Sequence, residues 1–353
     1  MISVSFLFNI FQRVPALPVF YSTNTCSPRF YFSIPLLKGK NAIKGNFAET
    51  FYPDLLSFCG KICYNERDKE NFMPAIFTHV QFGREVVATL PPMFSDLVAK
   101  HPQCFYLGTQ GPDLLFYHKP LKSKNNPTRK KGWRLHEIPP EDFFLQGAKL
   151  LLEDKENFDN EGNFIPQSKE AAYLLGFLCH FILDYSVHPY IDQHSVDGLS
   201  HGKIESELDK HRLKKLGKPA RGFNTATLFF PVKESKAASA NILSVSEKDT
   251  KKALKTMRFI NGLFSNKCGL VHGFCHAALS LVGMNKTFGD MFIHKKDDPR
   301  CAPLWDTLDA LFNEAIARAN EVITGFFGNI ENSVQNNTLT NDIFRYNYLT
   351  VGS

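Results

Sequence analysis

From residue 73 onward, apolar positions recur at three- and four-residue intervals, which is the period of a helix with one buried face. The pattern predicts helices over residues 80–88, with a continuation at 92–99, and over 140–154, 168–185, 200–216, 247–264 and 305–326. Ser200 and Ser246 stand where N-caps belong, and Gly217 stands where a helix ends. Residues 225–230 read as a short strand closed by Pro231. There is no alternation of strands with helices, no GxGxxG and no Walker loop, so the expected class is all-α. The working domain is expected at 73–330, with a polar, Asn-rich loose tail at 331–353.

Residues 1–72 hold no sustained period. Their first apolar run, residues 4–10, is far short of the roughly 20 residues that cross a bilayer. It also lacks a positive region ahead of it and a small-residue cleavage site. The reading is a poorly ordered leader or a spurious extension of the frame, with a targeting segment as the competitor. Translation would then start at Met73, with Pro74 in the first helical turn, and the protein would be cytoplasmic rather than secreted or membrane-associated.

Composition narrows the class little further. With 43% hydrophobic and 22% charged residues over 353 positions, the chain is neither collagen-like nor disordered and can bury a large core. A net charge of +6 suits phosphate-bearing substrates or an anionic membrane surface without requiring either. Eight cysteines without a CxxC pair read as reduced thiols.

The chemistry concentrates in residues 174–211. His180, Asp184 and His188 are spaced by four, so they share one face of a helix whose other positions are apolar. Ionisable groups there are costly unless paired or bound to metal. One His–Asp pair could simply tie two helices together, but a second set follows: His201 and Glu205, again four apart. Pro189 is expected to end the first helix near His188, letting the chain return so that His188 meets His201 and Glu205. Mixed imidazole and carboxylate donors favour zinc. Asp113, in a Gly-Pro turn, and His136, in a polar loop before a helix, supply matching donors.

In that order (His79, then GPD at Asp113, then His136, then HxxxD…H, then HxxxE) the residues resemble the zinc-dependent phospholipase C family, which shares its all-helical fold with fungal single-strand nucleases. The resemblance covers about residues 73–330 and implies a multi-helix bundle around two or three zinc ions. It implies one zinc held by Asp113, His136, His180 and Asp184. A second, more open zinc would be held by His188, His201 and Glu205, and a third by His79, Asp184 and the amino-terminal residue, here Pro74. Secreted members begin with Trp at that place and carry a slightly longer interval after the Asp, which sets His194 against His188 as the ligand.

The implied activity is hydrolysis of a phospholipid to diacylglycerol and a phosphorylated headgroup. Asp113 would be the general base and Glu205 the catalytic carboxylate of the open zinc. The alternatives are a nuclease or nucleotidase using Phe116, Tyr117 and Trp133 to stack bases, and a non-catalytic zinc-stabilised protein. Absence of an adjacent His-Asp pair and of HExxH argues against two other hydrolase classes. His272 and His276 could form a further cluster, though core packing is the stronger reading, and His101, His118, His211 and His294 read as surface residues. The basic segment from Lys119 to Arg134, which has no acid, reads either as a solvated loop or as a mouth that attracts phosphate or a membrane surface.

Overall fold

The structure is a computed structural model and describes residues 75–120, 126–196, 198–281 and 289–347. All described residues belong to one compact unit. Its elements are α1 (Ile76–Val87), α2 (Pro92–Lys100), α3 (Pro102–Gly108), a 3-10 helix (Gly111–Tyr117), α4 (Pro127–Glu137), α5 (Glu141–Glu153), α6 (Lys169–His194), α7 (His201–Lys215), α8 (Lys233–Ile242), α9 (Glu247–Phe264), α10 (Gly269–Leu281), α11 (Trp305–Gly328) and α12 (Ile330–Asn336). The fold is all-α. Among the described residues there is no strand, only an isolated antiparallel bridge between Phe158 and Phe164.

α6 is the axis of the domain. Ser168 caps it by accepting from the Ala171 amide at 3.2 Å. Every position from 170 to 184 is buried, because α1, α3, α8 and α11 pack around it. α3 crosses it at Gly108 and Gly176, where a methyl on either would strike the other helix's backbone. This close approach brings the 3-10 helix that follows α3 against the polar stretch of α6. α11 lies along α6 and buries Phe312, Ala315, Ala319, Ile323 and Phe326, at helical spacing. Phe144 of α5 packs edge-on to Phe177 and Phe326.

The structure changes several readings. α6 does not stop near His188 but runs through Pro189 to His194. The proline removes one hydrogen bond, a cost of up to ~3 kcal/mol in a helix interior. Val187, His188 and Ile191 are buried around it, and each fully buried aliphatic side chain returns roughly 1.5–3 kcal/mol. Residues 225–228 form a 3-10 turn rather than a strand, since Asn224 Oδ1 accepts from the Ala226 amide at 3.0 Å. His136 lies in the last turn of a helix, not in a loop. Within the expected loose tail, Leu339, Ile343 and Phe344 are buried and the Leu339 amide donates to Glu141 at 2.9 Å, while residues 348–353 lie outside the described residues. The caps at Ser200 and Ser246 form as expected, donated to by the amides of Lys203 and Asp249. Among the described residues, Cys104, Cys179, Cys268, Cys275 and Cys301 form no disulfide.

Candidate metal centre

Five elements converge on one buried cluster. α1 brings His79, the 3-10 helix brings Asp113, α4 brings His136, α6 brings His180, Asp184 and His188, and α7 brings His201 and Glu205. Each is at most 5% exposed, and His180 and Asp184 are wholly enclosed.

Asp184 is the hub. Its Oδ1 lies 3.3 Å from His79 Nε2 and 3.2 Å from His188 Nε2, and its Oδ2 lies 3.0 Å from His180 Nε2. Glu205 Oε1 lies 3.5 Å from His188 Nε2 and 3.4 Å from His201 Nε2. Asp113 Oδ1 lies 3.1 Å from His136 Nε2. Neither Asp184 oxygen makes a well-directed hydrogen bond, and the same is true of Asp113 Oδ1, His201 Nε2 and Glu205 Oε2. A hydrogen bond needs the proton along the line of centres. Donors that share an ion need only converge on it: around a tetrahedral zinc with bonds of ~2.0–2.1 Å, neighbouring ligands stand about 3.3 Å apart. The spacings and the missing hydrogen bonds fit that second geometry.

The outer nitrogens of three imidazoles are fixed from behind. Nδ1–H of His180 donates to the Thr109 carbonyl at 3.2 Å, that of His136 to the Gly132 carbonyl at 2.8 Å, and that of His201 to Asp192 at 2.7 Å. Each bond selects the tautomer whose Nε2 lone pair faces the cluster, the usual support for a metal-bound histidine. Three sets of donor atoms lie within 4.8 Å of one another: His79 with Asp113 and His180; His136 with His180 and Asp184; His188 with His201 and Glu205. His136, His180 and Asp184 come together, as do His188, His201 and Glu205, whereas Asp113, expected with the first set, falls with His79 and His180. His79 stands between Asp184 and the Asp113–His180 pair, whereas the resemblance grouped it with Asp184 and Pro74. Pro74 lies outside the described residues.

Burial and charge act against each other here. Burial alone lowers the pKa of His180 and of His201, but the facing carboxylates outweigh it and raise them to about 9 and about 10. Burial favours the acid form of Glu205, yet His201 and His188 hold it down at about 2. Asp184 is likewise driven below the usual carboxylate range, by His180, His188 and His79 against the cost of burial. His79, dominated by burial, falls to about 4 and is neutral. Three carboxylates in a dry site require cations; without metal, protons on His180 and His201 supply part of that charge.

The spacing of four along α6 extends one step beyond His188, to Asp192, the residue that orients His201. The reading that ended the helix at Pro189 hid this role. Gly111 is the other residue without a sequence-stated function: its φ is +47° and a Cβ would collide with the His180 ring. Gly111→Ala is expected to displace His180 and lower zinc retained after dialysis, and an unchanged zinc content would refute this packing.

The competing residues behave differently. His194 donates its Nδ1–H to the Tyr190 carbonyl at 2.8 Å, its ring tilted against the Tyr190 ring, and it belongs to none of the donor groups. His272 and His276 pack on Phe292 and join no donor group among the described residues. Of the histidines expected at the surface, His101 and His118 are buried, the latter 3.0 Å from Asp249, while His211 and His294 are half-buried. Phe116 and Tyr117 are enclosed, and Phe116 packs between His136 and Trp133, so it supports a ligand rather than offering a stacking platform. In the basic segment, residues 127–134 are the first turns of α4; Lys131 donates to the Ser244 carbonyl, and Lys122 and Lys124 lie outside the described residues.

Residues 78–266, which hold every described donor of the cluster, match the family model for zinc-dependent phospholipase C. No curated protein and no solved structure matches the chain.

Proposed function

The chain belongs to the zinc-dependent phospholipase C family, and from that premise we propose which of its residues do the work and how many ions they serve. The protein is a zinc-dependent hydrolase of the phospholipase C type, with a phospholipid as substrate. Asp113, His136, His180 and Asp184 would hold one zinc, and His188, His201 and Glu205 a second. His79 with Asp184 would hold a third if an amino terminus or another donor completes it. Asp184 would bridge. The observation that carries this assignment is Asp184 itself: its two enclosed carboxylate oxygens converge with three imidazole nitrogens at 3.0–3.3 Å.

Zinc bound there supplies positive charge for the phosphate oxygens and acidifies water at the site. The protein's own groups do the rest. Asp113, from the 3-10 helix, is the general base: its carboxylate accepts the proton of the attacking water as the phosphorus–oxygen bond forms. The bond from phosphorus to the glycerol oxygen then breaks, and that oxygen leaves as diacylglycerol with the proton that Asp113 accepted, which returns the carboxylate to its starting form. Glu205 and His201, fixed by Asp192, hold the open side of the cluster in register. The cationic first turns of α4, with Lys119, form the contact to the anionic headgroup surface in this reading.

The test is turnover. Glu205→Gln keeps the shape of the side chain and removes its charge, so release of diacylglycerol from phosphatidylcholine vesicles should fall at least roughly 10–100-fold while the helical circular dichroism persists. Unchanged turnover in that variant would remove Glu205 from the machinery.

A further inference from the structure

A second group of donors sits at the joint of α2 and α3 and shares no residue with the cluster just described. His101 is the cap residue between the two helices, Cys104 is in the first turn of α3, and Glu234 is in the first turn of α8. One donor atom from each lies within 4.8 Å of the other two. His101 and Cys104 are buried, at 8% and 1% exposure, whereas the Glu234 side chain is 59% exposed.

The orientation of His101 is the informative part. Its Nε2–H donates to the Gln167 carbonyl at 3.1 Å, so a neutral ring carries its lone pair on Nδ1. That nitrogen faces Glu234 Oε2 at 3.4 Å. Lone pair faces lone pair, an arrangement that holds only with a proton or a cation between them. A thiol at the same point, with no hydrogen bond to its sulfur among the described residues, adds a third donor. The motif reads His-x-x-Cys at the start of a helix, the short spacing that puts both side chains on one side of a turn.

We propose that His101, Cys104 and Glu234 form a separate, thiolate-containing site for a borderline-soft divalent cation such as zinc. The charges balance: the cation's two positive charges meet one thiolate and one carboxylate, and the thiol proton leaves to solvent on binding. Ligands of a tetrahedral zinc stand about 3.3–3.8 Å apart when one is sulfur, so the group must contract by about 1 Å. Glu234, whose side chain is exposed, can supply that movement by turning about its own side-chain bonds. Binding would pin α8 to the α2–α3 joint, and through α3 to α6, without touching the hydrolytic residues.

Cobalt(II) distinguishes this site from the catalytic one, whose donors are all nitrogen and oxygen. Zinc-stripped full-length protein titrated with cobalt(II) chloride should develop a near-ultraviolet sulfur-to-metal charge-transfer band. Cys104→Ser should abolish the band, and Glu234→Gln, at an exposed position that leaves the fold intact, should weaken its formation roughly tenfold. In both variants zinc content should drop by about one ion, while diacylglycerol release by the zinc-loaded enzyme persists. Absence of the band in the wild type overturns the proposal. So does a band that survives Cys104→Ser, which would assign it to another cysteine.

Discussion

Asp184→Asn should cost the protein most of its zinc and essentially all of its phospholipid hydrolysis. The side chain keeps its volume, so the packing of α6 against α1, α3 and α11 is undisturbed. What changes is charge and lone pairs. The carboxylate presents an oxygen to His79 and His188 and another to His180, whereas the amide presents one oxygen and an NH2 that points hydrogens at the cluster. Removing one partner from a buried set of charges typically costs 3–5 kcal/mol, which is a loss of about a hundredfold or more in affinity for an ion held there. Since three imidazoles from two helices meet on this one residue, more than one ion should be lost, and the same holds for His180→Ala. Zinc counted by mass spectrometry after dialysis, together with diacylglycerol release, gives the answer. A variant with wild-type zinc and wild-type turnover would remove Asp184 from the centre of the site.

This residue also shows how much of the site the amino-acid order carries. Spacing of four places His180, Asp184 and His188 on one helix face whatever surrounds them, and it does the same for His201 and Glu205. Those groupings need only the helical period, and they are seen in the fold. Asp113 and His136 depend on tertiary structure, since nothing local says that a Gly-Pro turn and a strongly basic segment meet. Their approach is made by Gly108 and Gly176, where α3 crosses α6, and by Gly111, which leaves room for the His180 ring.

The misreadings share a cause. Pro189 looks like a helix breaker by local preference, and the cation run of 127–134 reads as a solvated loop because it has no acid and an interrupted apolar pattern; burial overrides both readings. Val187, His188 and Ile191 are packed around the proline, and Gly132, Leu135 and His136 are packed beneath the cations. Losing the end of α6 from view meant losing Asp192, the carboxylate that orients His201. The buried His101 and His118 were obscured in the same way, because flanking lysines and prolines describe the surface of a segment and not what its neighbours cover.

The metal-free form should lose stability with rising pH, and the zinc-loaded form should not. In the metal-free fold His180 and His201 are raised to about 9 and about 10, against about 6.5 in an unfolded chain. Between those values the folded state binds protons that the unfolded state does not. Their contribution is therefore fully present below about pH 6.5 and is lost as pH rises through 9 to 10, at about 1.4 kcal/mol per pH unit for each group. Zinc takes the Nε2 positions that these protons occupy, so loading the site removes the dependence, and zinc affinity climbs over the same window. His79, lowered to about 4, is already neutral and releases nothing.

Thermal melts at pH 6.5 and pH 9 should then diverge: the metal-free midpoint falls with rising pH, and the zinc-loaded one holds. Calorimetric titration with zinc at pH 7.5, repeated in buffers of different ionisation enthalpy, should report about two protons released from the two histidines. His201→Gln should reduce that number by about one and flatten the metal-free pH profile. A metal-free protein whose stability rises from pH 6.5 to 9, or zinc binding that releases no proton, would mean that the carboxylates of this cluster do not hold protons on His180 and His201.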